Sequence, residues 1–230
     1  MIAVPKKLTN QILIKYLLKM YRPFPLLFAG VLISLYSFNS ALAQDYAQNA
    51  EEVNPLLISS EIPDVQLKNM NDEIVRLKEL VSQKPSILVF YRGGWCPYCN
   101  RQLSDLNEIE EQLYEIGYQL LAISPDKPEK LRTTLDKNEL GYTLLSDSPI
   151  NVSKAFGIAF KVDQETIDRY KSIGLDLEKD SGYDHHLLPV PAVYIVNTDG
   201  IVKFNYVNPD YKERINGEVL LKAARVYYEN

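Results

Sequence analysis

The sequence predicts an α/β domain with a central mixed sheet flanked by helices, and four observations carry that expectation. Ser86, Ile87, Leu88, Val89, Phe90 and Tyr91 form a short apolar, β-branched and aromatic run of the kind that makes a strand buried on both faces. Next, Leu103, Leu106, Ile109, Leu113 and Ile116 recur at helical spacing, while Arg101, Asp105, Glu108, Glu110, Glu111 and Glu115 fill much of the other face. Residues 118–123 return to a strand pattern, which closes a βαβ unit with a right-handed crossover. Towards the C-terminus, residues 192–196 and 201–206 flank Asn197-Thr198-Asp199-Gly200, a hairpin signal that adds antiparallel strands.

The remaining elements follow in chain order. Residues 1–43 carry Lys6, Lys7, Lys15, Lys19 and Arg22 and no acid, then an apolar stretch over 26–38 and Ala41-Leu42-Ala43. This pattern predicts a secretory signal cut after Ala43, with Met20 as an alternative start. The apolar stretch is shorter than the ~20 residues a spanning helix needs, so an uncleaved anchor is the weaker alternative. Residues 44–61 are polar and without period, and are expected to form a flexible leader. The domain proper is expected over 62–230. Residues 65–67 and 74–77 suit two short strands around a turn, 128–140 a helix ended by Gly141, 142–145 a strand, and 155–158 the exit from a short helical turn. Residues 160–188 form a charged insertion with weak periodicity, and 218–228 a closing helix.

Charge and cysteine count narrow the function. The chain has 25 basic and 30 acidic side chains, a formal net charge of −5. Loss of the five basic residues in 1–43 leaves 20 against 30, a net charge of about −10. Such a surface repels a phosphate backbone, so nucleic acid is excluded as a partner. Contact with a membrane is expected only through an uncleaved signal segment. Export, most simply to the periplasm, places the protein where disulfides persist. The 2 cysteines, Cys96 and Cys99, permit one intramolecular bridge, and its loop is too short to be a useful structural staple.

That pair sits in Gly93-Gly94-Trp95-Cys96-Pro97-Tyr98-Cys99, where the strand pattern hands over to the helix pattern. Gly93 and Gly94 give the turn its freedom, and Pro97 suits a first helical turn, where a missing N–H costs little. A thiol at a helix N-terminus faces unsatisfied N–H groups and the positive end of the dipole, which favour thiolate, and Arg92 adds a candidate cation. Cys96 is therefore expected to be the more acidic and more accessible sulfur. Cys99, one turn on and in line with Leu103 and Leu106, is expected to be buried and to resolve. Structural cysteines or half of a zinc site are the alternatives, and the strand, turn and helix context favours redox chemistry.

Taken with Ile62-Pro63-Asp64-Val65-Gln66-Leu67, Leu144-Leu145-Ser146-Asp147, Leu188-Pro189-Val190-Pro191-Ala192, Asn197-Thr198-Asp199-Gly200 and Val207-Asn208-Pro209-Asp210-Tyr211, this segment resembles the peroxiredoxin-like branch of the thioredoxin superfamily, the alkyl hydroperoxide reductase and thiol-specific antioxidant class. The resemblance implies a thioredoxin-like fold. It also implies hydroperoxide reduction through a Cys96/Cys99 thiol–disulfide cycle, re-reduction by thioredoxin or a periplasmic thiol reductant, and no organic cofactor or metal. By the same resemblance the Val190–Pro191 bond is expected in cis beside the cysteines, leaving sheet-edge backbone free to pair with an extended thiol substrate. The sequence departs from the family's Pro-X-X-X-Thr-X-X-Cys pattern. In that register Cys99 takes the peroxidatic position, Cys96 replaces the Thr and Arg92 the Pro. Trp95-Cys96-Pro97-Tyr98-Cys99 is instead similar to the Trp-Cys-X-X-Cys of thioredoxins.

Two other functions fit the same residues. One is a thiol:disulfide oxidoreductase acting on protein disulfides; the other is a copper-handling accessory protein holding metal through Cys96, Cys99 and a histidine. His185 and His186 are the only histidines, and their polar surroundings read as a solvated loop. Trp95 serves either as a substrate platform or as packing beside the turn.

Overall fold

Strand β3 (Ser86–Phe90) is buried at every position and organises the rest. In the computed structural model, which describes residues 45–228, it pairs in parallel with β4 (Gln119–Ser124) and antiparallel with β8 (Ala192–Val196). Phe90 lies between Ile123 and Ala192 in that register. The mixed sheet has seven strands in the order β2-β1-β5-β4-β3-β8-β9, with β1 (Gln66–Lys68), β2 (Ile74–Arg76), β5 (Thr143–Ser146) and β9 (Val202–Val207) completing it.

Because successive side chains alternate across a strand, β3 feeds two cores. Ile87, Val89 and Tyr91 join Leu103, Leu106, Leu113 and Leu220 on one face. These last come from α2 (Pro97–Asn107), α3 (Glu110–Ile116) and α8 (Gly217–Tyr228). Leu88 and Phe90 join Leu77, Val81, Val152 and Phe156 on the other. These belong to α1 (Leu77–Gln83), α5 (Asn151–Ala155) and the residue after it. Both cysteines lie in the first core.

The single helix expected after the cysteines is two helices. At Ile109 the chain adopts φ −108° and ψ −1°, and α3 starts afresh at Glu110. Asn107, the last residue of α2, donates to the Glu139 carbonyl and accepts from the Gly141 amide, which ties the helix end to the loop after α4 (Pro128–Asn138). Helix α4 itself ends in Glu139, which takes the left-handed conformation two residues before Gly141. The hairpin between β8 and β9 forms as expected. The Asn197 side chain accepts from the Ile201 amide at 2.8 Å, and Gly200 takes φ 78°.

Two stretches of absent or weak periodicity are ordered by contacts far away in sequence. Residues 45–61 pack on the domain instead of forming a free leader. Ala47 exchanges backbone hydrogen bonds with Ala159 and Lys161, Asn54 and Leu56 donate to the carbonyls of Gly157 and Phe156, and Val53 and Leu56 cover the second core. The insertion contains β6 (Ala159–Lys161) antiparallel to β7 (Leu187–Pro189), with α6 (Gln164–Ser172) and α7 (Leu177–Ser181) between them. Asp163 caps α6 by accepting from the Thr166 amide at 2.7 Å, and Asp176 caps α7. Val162, Ile167, Leu177 and Leu188 make a small core of their own, with Trp95 packed against it.

Deleting residues 45–57 is expected to destabilise the domain by about 2–4 kcal/mol, through lost burial of Val53 and Leu56 and the lost backbone bonds. Urea unfolding measures this, and an unchanged midpoint would show that the segment merely rests on the surface.

Candidate active site

The site begins with how β3 turns into α2. Gly93 takes φ +144°, in the region open to glycine, and a Cβ there would lie 2.3 Å from Trp95 Nε1. A Cβ on Gly94 would lie 1.9 Å from Thr134 Oγ1 of α4. Only bare backbone fits, and it is clamped from both sides. The Gly94 amide donates to Asp126 Oδ2 at 2.7 Å, and the Gly94 carbonyl accepts from Asn100 Nδ2 at 2.8 Å. Cys96, whose amide donates to the Gly93 carbonyl, is then the N-cap residue of α2, and Pro97 opens the helix.

Both cysteines are free thiols and both are buried, Cys96 at 1% exposure and Cys99 at 0%. The expected difference in accessibility is therefore absent, because Cys96 is packed into the same core as Leu103. The expected difference in acidity is present. A hydrogen bond from the Cys99 thiol, opposed by burial and reinforced by the Cys99 backbone amide and by the charges of Arg92 and Arg214, brings Cys96 down to about 6. Burial pushes the Cys99 thiol well up, and its bond to Cys96 adds to that. One proton is shared by two sulfurs, and it resides on Cys99.

Arg92 stands on the strand side at 4% exposure. One of its terminal nitrogens donates to the Tyr170 hydroxyl, and the guanidinium lies over the Tyr211 ring at 4.3 Å and the Trp95 ring at 5.3 Å. Arg214 was not legible in the sequence: its Nη2 donates to Cys99 Sγ at 3.5 Å. The Val207-Asn208-Pro209-Asp210-Tyr211 stretch that marks the segment stops three residues short of it. Trp95 is half-buried and packs against both the main core and the core of the insertion, with its ring 5.5 Å from Tyr170.

Pro191 departs from expectation. No peptide bond is cis among the described residues, so Val190–Pro191 is trans. The chain passes extended from β7 into β8: the Val190 amide donates to the Ile158 carbonyl, and the Pro191 carbonyl accepts from the Asn208 amide. These groups are therefore not free to pair with a substrate strand. The histidines are held rather than solvated. His185 accepts the Leu187 amide on Nδ1, so Nε2 carries the proton and donates to the Ser148 carbonyl at 2.9 Å, and burial pushes the ring's pKa down. His186 Nε2 contacts Glu178 Oε1 at 2.7 Å. Neither is bonded to a sulfur. Among the described residues no three His, Cys, Asp or Glu side chains converge as a metal site would require, so the donors of the copper-handling alternative are not brought together.

The sequence profile of the AhpC/TSA family matches residues 58–205. The chain belongs to that family. It is 34% identical over 106 residues to the putative peroxiredoxin bcp of Haemophilus influenzae, covering 46% of this chain and 68% of that one. It is likewise 34% identical over 106 residues to peroxiredoxin Bcp of Escherichia coli, covering 46% and 67%. Among solved structures it is similar to peroxidoxin BcpB of Mycobacterium tuberculosis, with TM-score 0.57, 19% identity and coverage of 74% and 96%. Reduced Prx3 of Vibrio vulnificus in complex with hydrogen peroxide gives TM-score 0.61, 17% identity and coverage of 74% and 99%. These two share the thioredoxin-like fold with this chain. The protein is a peroxiredoxin-like oxidoreductase of the AhpC/TSA family.

Asp126, which holds the turn, is 2% exposed, and burial raises its carboxyl to about 7, with Asp180 adding to the rise. The folded state thus binds a proton between about pH 4 and 7 that the unfolded chain has already released, so stability falls as pH rises through that window. Asp147, raised to about 6 by burial, acts in the same sense. Asp126→Asn keeps an acceptor for Gly94, and it is expected to remove on the order of 2–4 kcal/mol of this pH dependence. Chemical denaturation of both proteins from pH 4 to 8 checks it, and parallel profiles would refute the assignment.

Proposed function

We propose that the protein reduces hydroperoxides with Cys96 as the attacking sulfur and Cys99 as the resolving one, and is re-reduced by thioredoxin or an equivalent thiol reductant. The observation that carries this reading is the pair of buried free thiols one helical turn apart at the start of α2, with Cys96 acidified and Cys99 holding the proton. The Cys96 thiolate attacks the peroxide as the O–O bond breaks, the peroxide's own proton stays with the transferred oxygen as a sulfenic acid, and the alkoxide leaves as the alcohol with a proton taken from solvent. Cys99 then attacks the Cys96 sulfur, and its proton leaves with the hydroxyl as water, giving the Cys96–Cys99 disulfide. Arg214, bonded to Cys99 Sγ, stabilises the charge that appears there during resolution. A reductant dithiol returns both thiols by exchange. Burial of both sulfurs favours a small oxidant over a protein disulfide as the substrate of the reduced form, since exchange needs access to the sulfur.

In Cys99→Ser the hydroxyl replaces the donor, and Cys96 should retain a low pKa and accumulate a sulfenic acid that dimedone labels. In Cys99→Ala the donor is lost, and the Cys96 pKa should rise by at least about one unit, read from thiolate absorbance against pH. Dimedone labelling confined to Cys96→Ser would reverse the two roles and agree with the family register. Rapid reaction of the reduced protein with a protein disulfide, but not with hydrogen peroxide, would favour the disulfide oxidoreductase alternative.

We also infer export to the periplasm. The support is the basic and apolar pattern of residues 1–43, which lie outside the described residues, and the small residues Ala41 and Ala43 before Gln44. Among the described residues no helix is long and apolar enough to cross a membrane. Intact-mass measurement of protein from the periplasmic fraction should give a chain starting at Gln44, and a full-length chain retained with membranes would sink this reading.

A further inference from the structure

Arg92 poses a problem of charge balance. It is 4% exposed, its Nε has no hydrogen-bond partner, and among the described residues no carboxylate lies within ion-pair distance of it. A buried guanidinium without an acid is costly unless something else meets its charge. Aromatic faces meet part of it, since the Tyr211, Trp95 and Tyr170 rings stand 4.3, 5.3 and 5.9 Å from its central carbon. Asp126 lines the small space on one side of Arg92, but its carboxylate is committed to the Gly94 amide.

On another side Arg92 opens into a cleft of about 250 Å³, walled by Lys161, Arg169 and Tyr170 of the insertion and by Pro191 and Tyr211. This volume is small even for a ligand pocket, and suits a short organic acid better than an acyl chain or a peptide. Three cations line it against two acids, Glu51 and Asp163. The Asp163 carboxylate is turned to the Thr166 amide as the cap of α6. Lys161 Nζ and Arg169 Nη2 spend single donors on the His185 carbonyl and Thr166 Oγ1, which leaves each with others. The cleft is therefore positive, flanked by aromatic rings, and ends on the same guanidinium whose charge acts on Cys96.

We propose that this cleft seats the carboxylate of a small organic co-substrate of the cysteine pair, with the carboxylate on Arg92 and the carbon body between Tyr170 and Tyr211. A planar guanidinium with an unused Nε–H is suited to bind a carboxylate through two parallel bonds. The shared chemistry is the carboxylate, and it admits two sources: an oxidant, as a peroxide bearing an acid group, or a reductant, as a thiol bearing one. The choice of co-substrate rests on the function proposed above; the binding itself does not.

Trp95 is the only tryptophan of the chain and touches Arg92, so its fluorescence reports on the cleft. Titration of the reduced mature protein with glutarate should perturb this emission saturably, whereas the neutral diamide glutaramide should not. Arg169→Gln should weaken glutarate binding by about tenfold, the loss of one charge-assisted contact. Two pairs then identify the source: monoperoxysuccinate against peracetate as oxidants, and 3-mercaptopropionate against 2-mercaptoethanol as reductants. A KM about tenfold lower for the acid in one pair, lost in Arg169→Gln, is the expected result and names that partner. Absence of saturable glutarate binding, or equal KM values within both pairs, would overturn the proposal. Saturable glutarate binding in a protein that consumes no peroxide would uphold the cleft and refute the peroxidase reading instead.

Discussion

The hydrogen bond from the Gly94 amide to Asp126 sets the geometry on which the site depends. A strand buried on both faces has to become a helix within a few residues, and the chain does so through a turn where side chains do not fit. Such a turn holds little structure of its own, because glycine keeps the most conformational freedom in the unfolded chain. Asp126, just after β4, and Asn100 from α2 grip the amide and the carbonyl of Gly94, so the turn is fixed by the helix that it opens and by the loop that follows the neighbouring strand. Every distance between the sulfurs and their surroundings inherits that fixation. Full burial of Asp126 keeps this bond out of competition with water and also raises the cost of its charge.

Acidity at Cys96 then arises differently from what helix position alone implies. Placement at the N-cap of α2 provides unsatisfied backbone amides, one of which, from Cys99, does lower its pKa. The larger contribution is the thiol of Cys99 itself, held one turn along the helix and unable to ionise in its apolar setting. The second cysteine acts before any disulfide forms, as the proton donor that makes the first a thiolate. Arg92 and Arg214 add positive charge from distant parts of the sequence, one from the turn just after β3 and one from the segment before α8.

The insertion between β6 and β7 is what turns a common thioredoxin-like frame into this particular site. Tyr170 of α6 accepts from Arg92 and sets its ring tilted against Trp95, and Trp95 bridges the main core and the core of the insertion. Removing bulk water from Arg92 strengthens its interaction with anything anionic nearby, because the effective dielectric falls. The insertion thus shapes both the charge that Cys96 feels and the cleft beside it. His186 is bonded within it to Glu178, and His185 reaches out of it to the Ser148 carbonyl, so neither ring is bonded to a sulfur.

What the sequence determined by itself is local in origin. The continuous apolar run of residues 86–91 reads as β3 because a strand covered on both faces has no polar side, and Asn197 and Gly200 read as a hairpin because few residues accept that turn. The cysteine pair at a strand-to-helix junction marks the site for the same local reason. The rest depended on partners distant in sequence. Asp126 meets Gly94 across 32 residues, Tyr170 meets Arg92 across 78 and Arg214 meets Cys99 across 115. No periodicity records such meetings. Residues 45–61 are anchored largely through backbone groups, which every sequence carries, and α6 and α7 are short helices whose caps, Asp163 and Asp176, were their clearest local signal. The backbone around Pro191 is likewise paired with groups distant in sequence, since the Val190 amide donates to the Ile158 carbonyl and the Pro191 carbonyl accepts from the Asn208 amide.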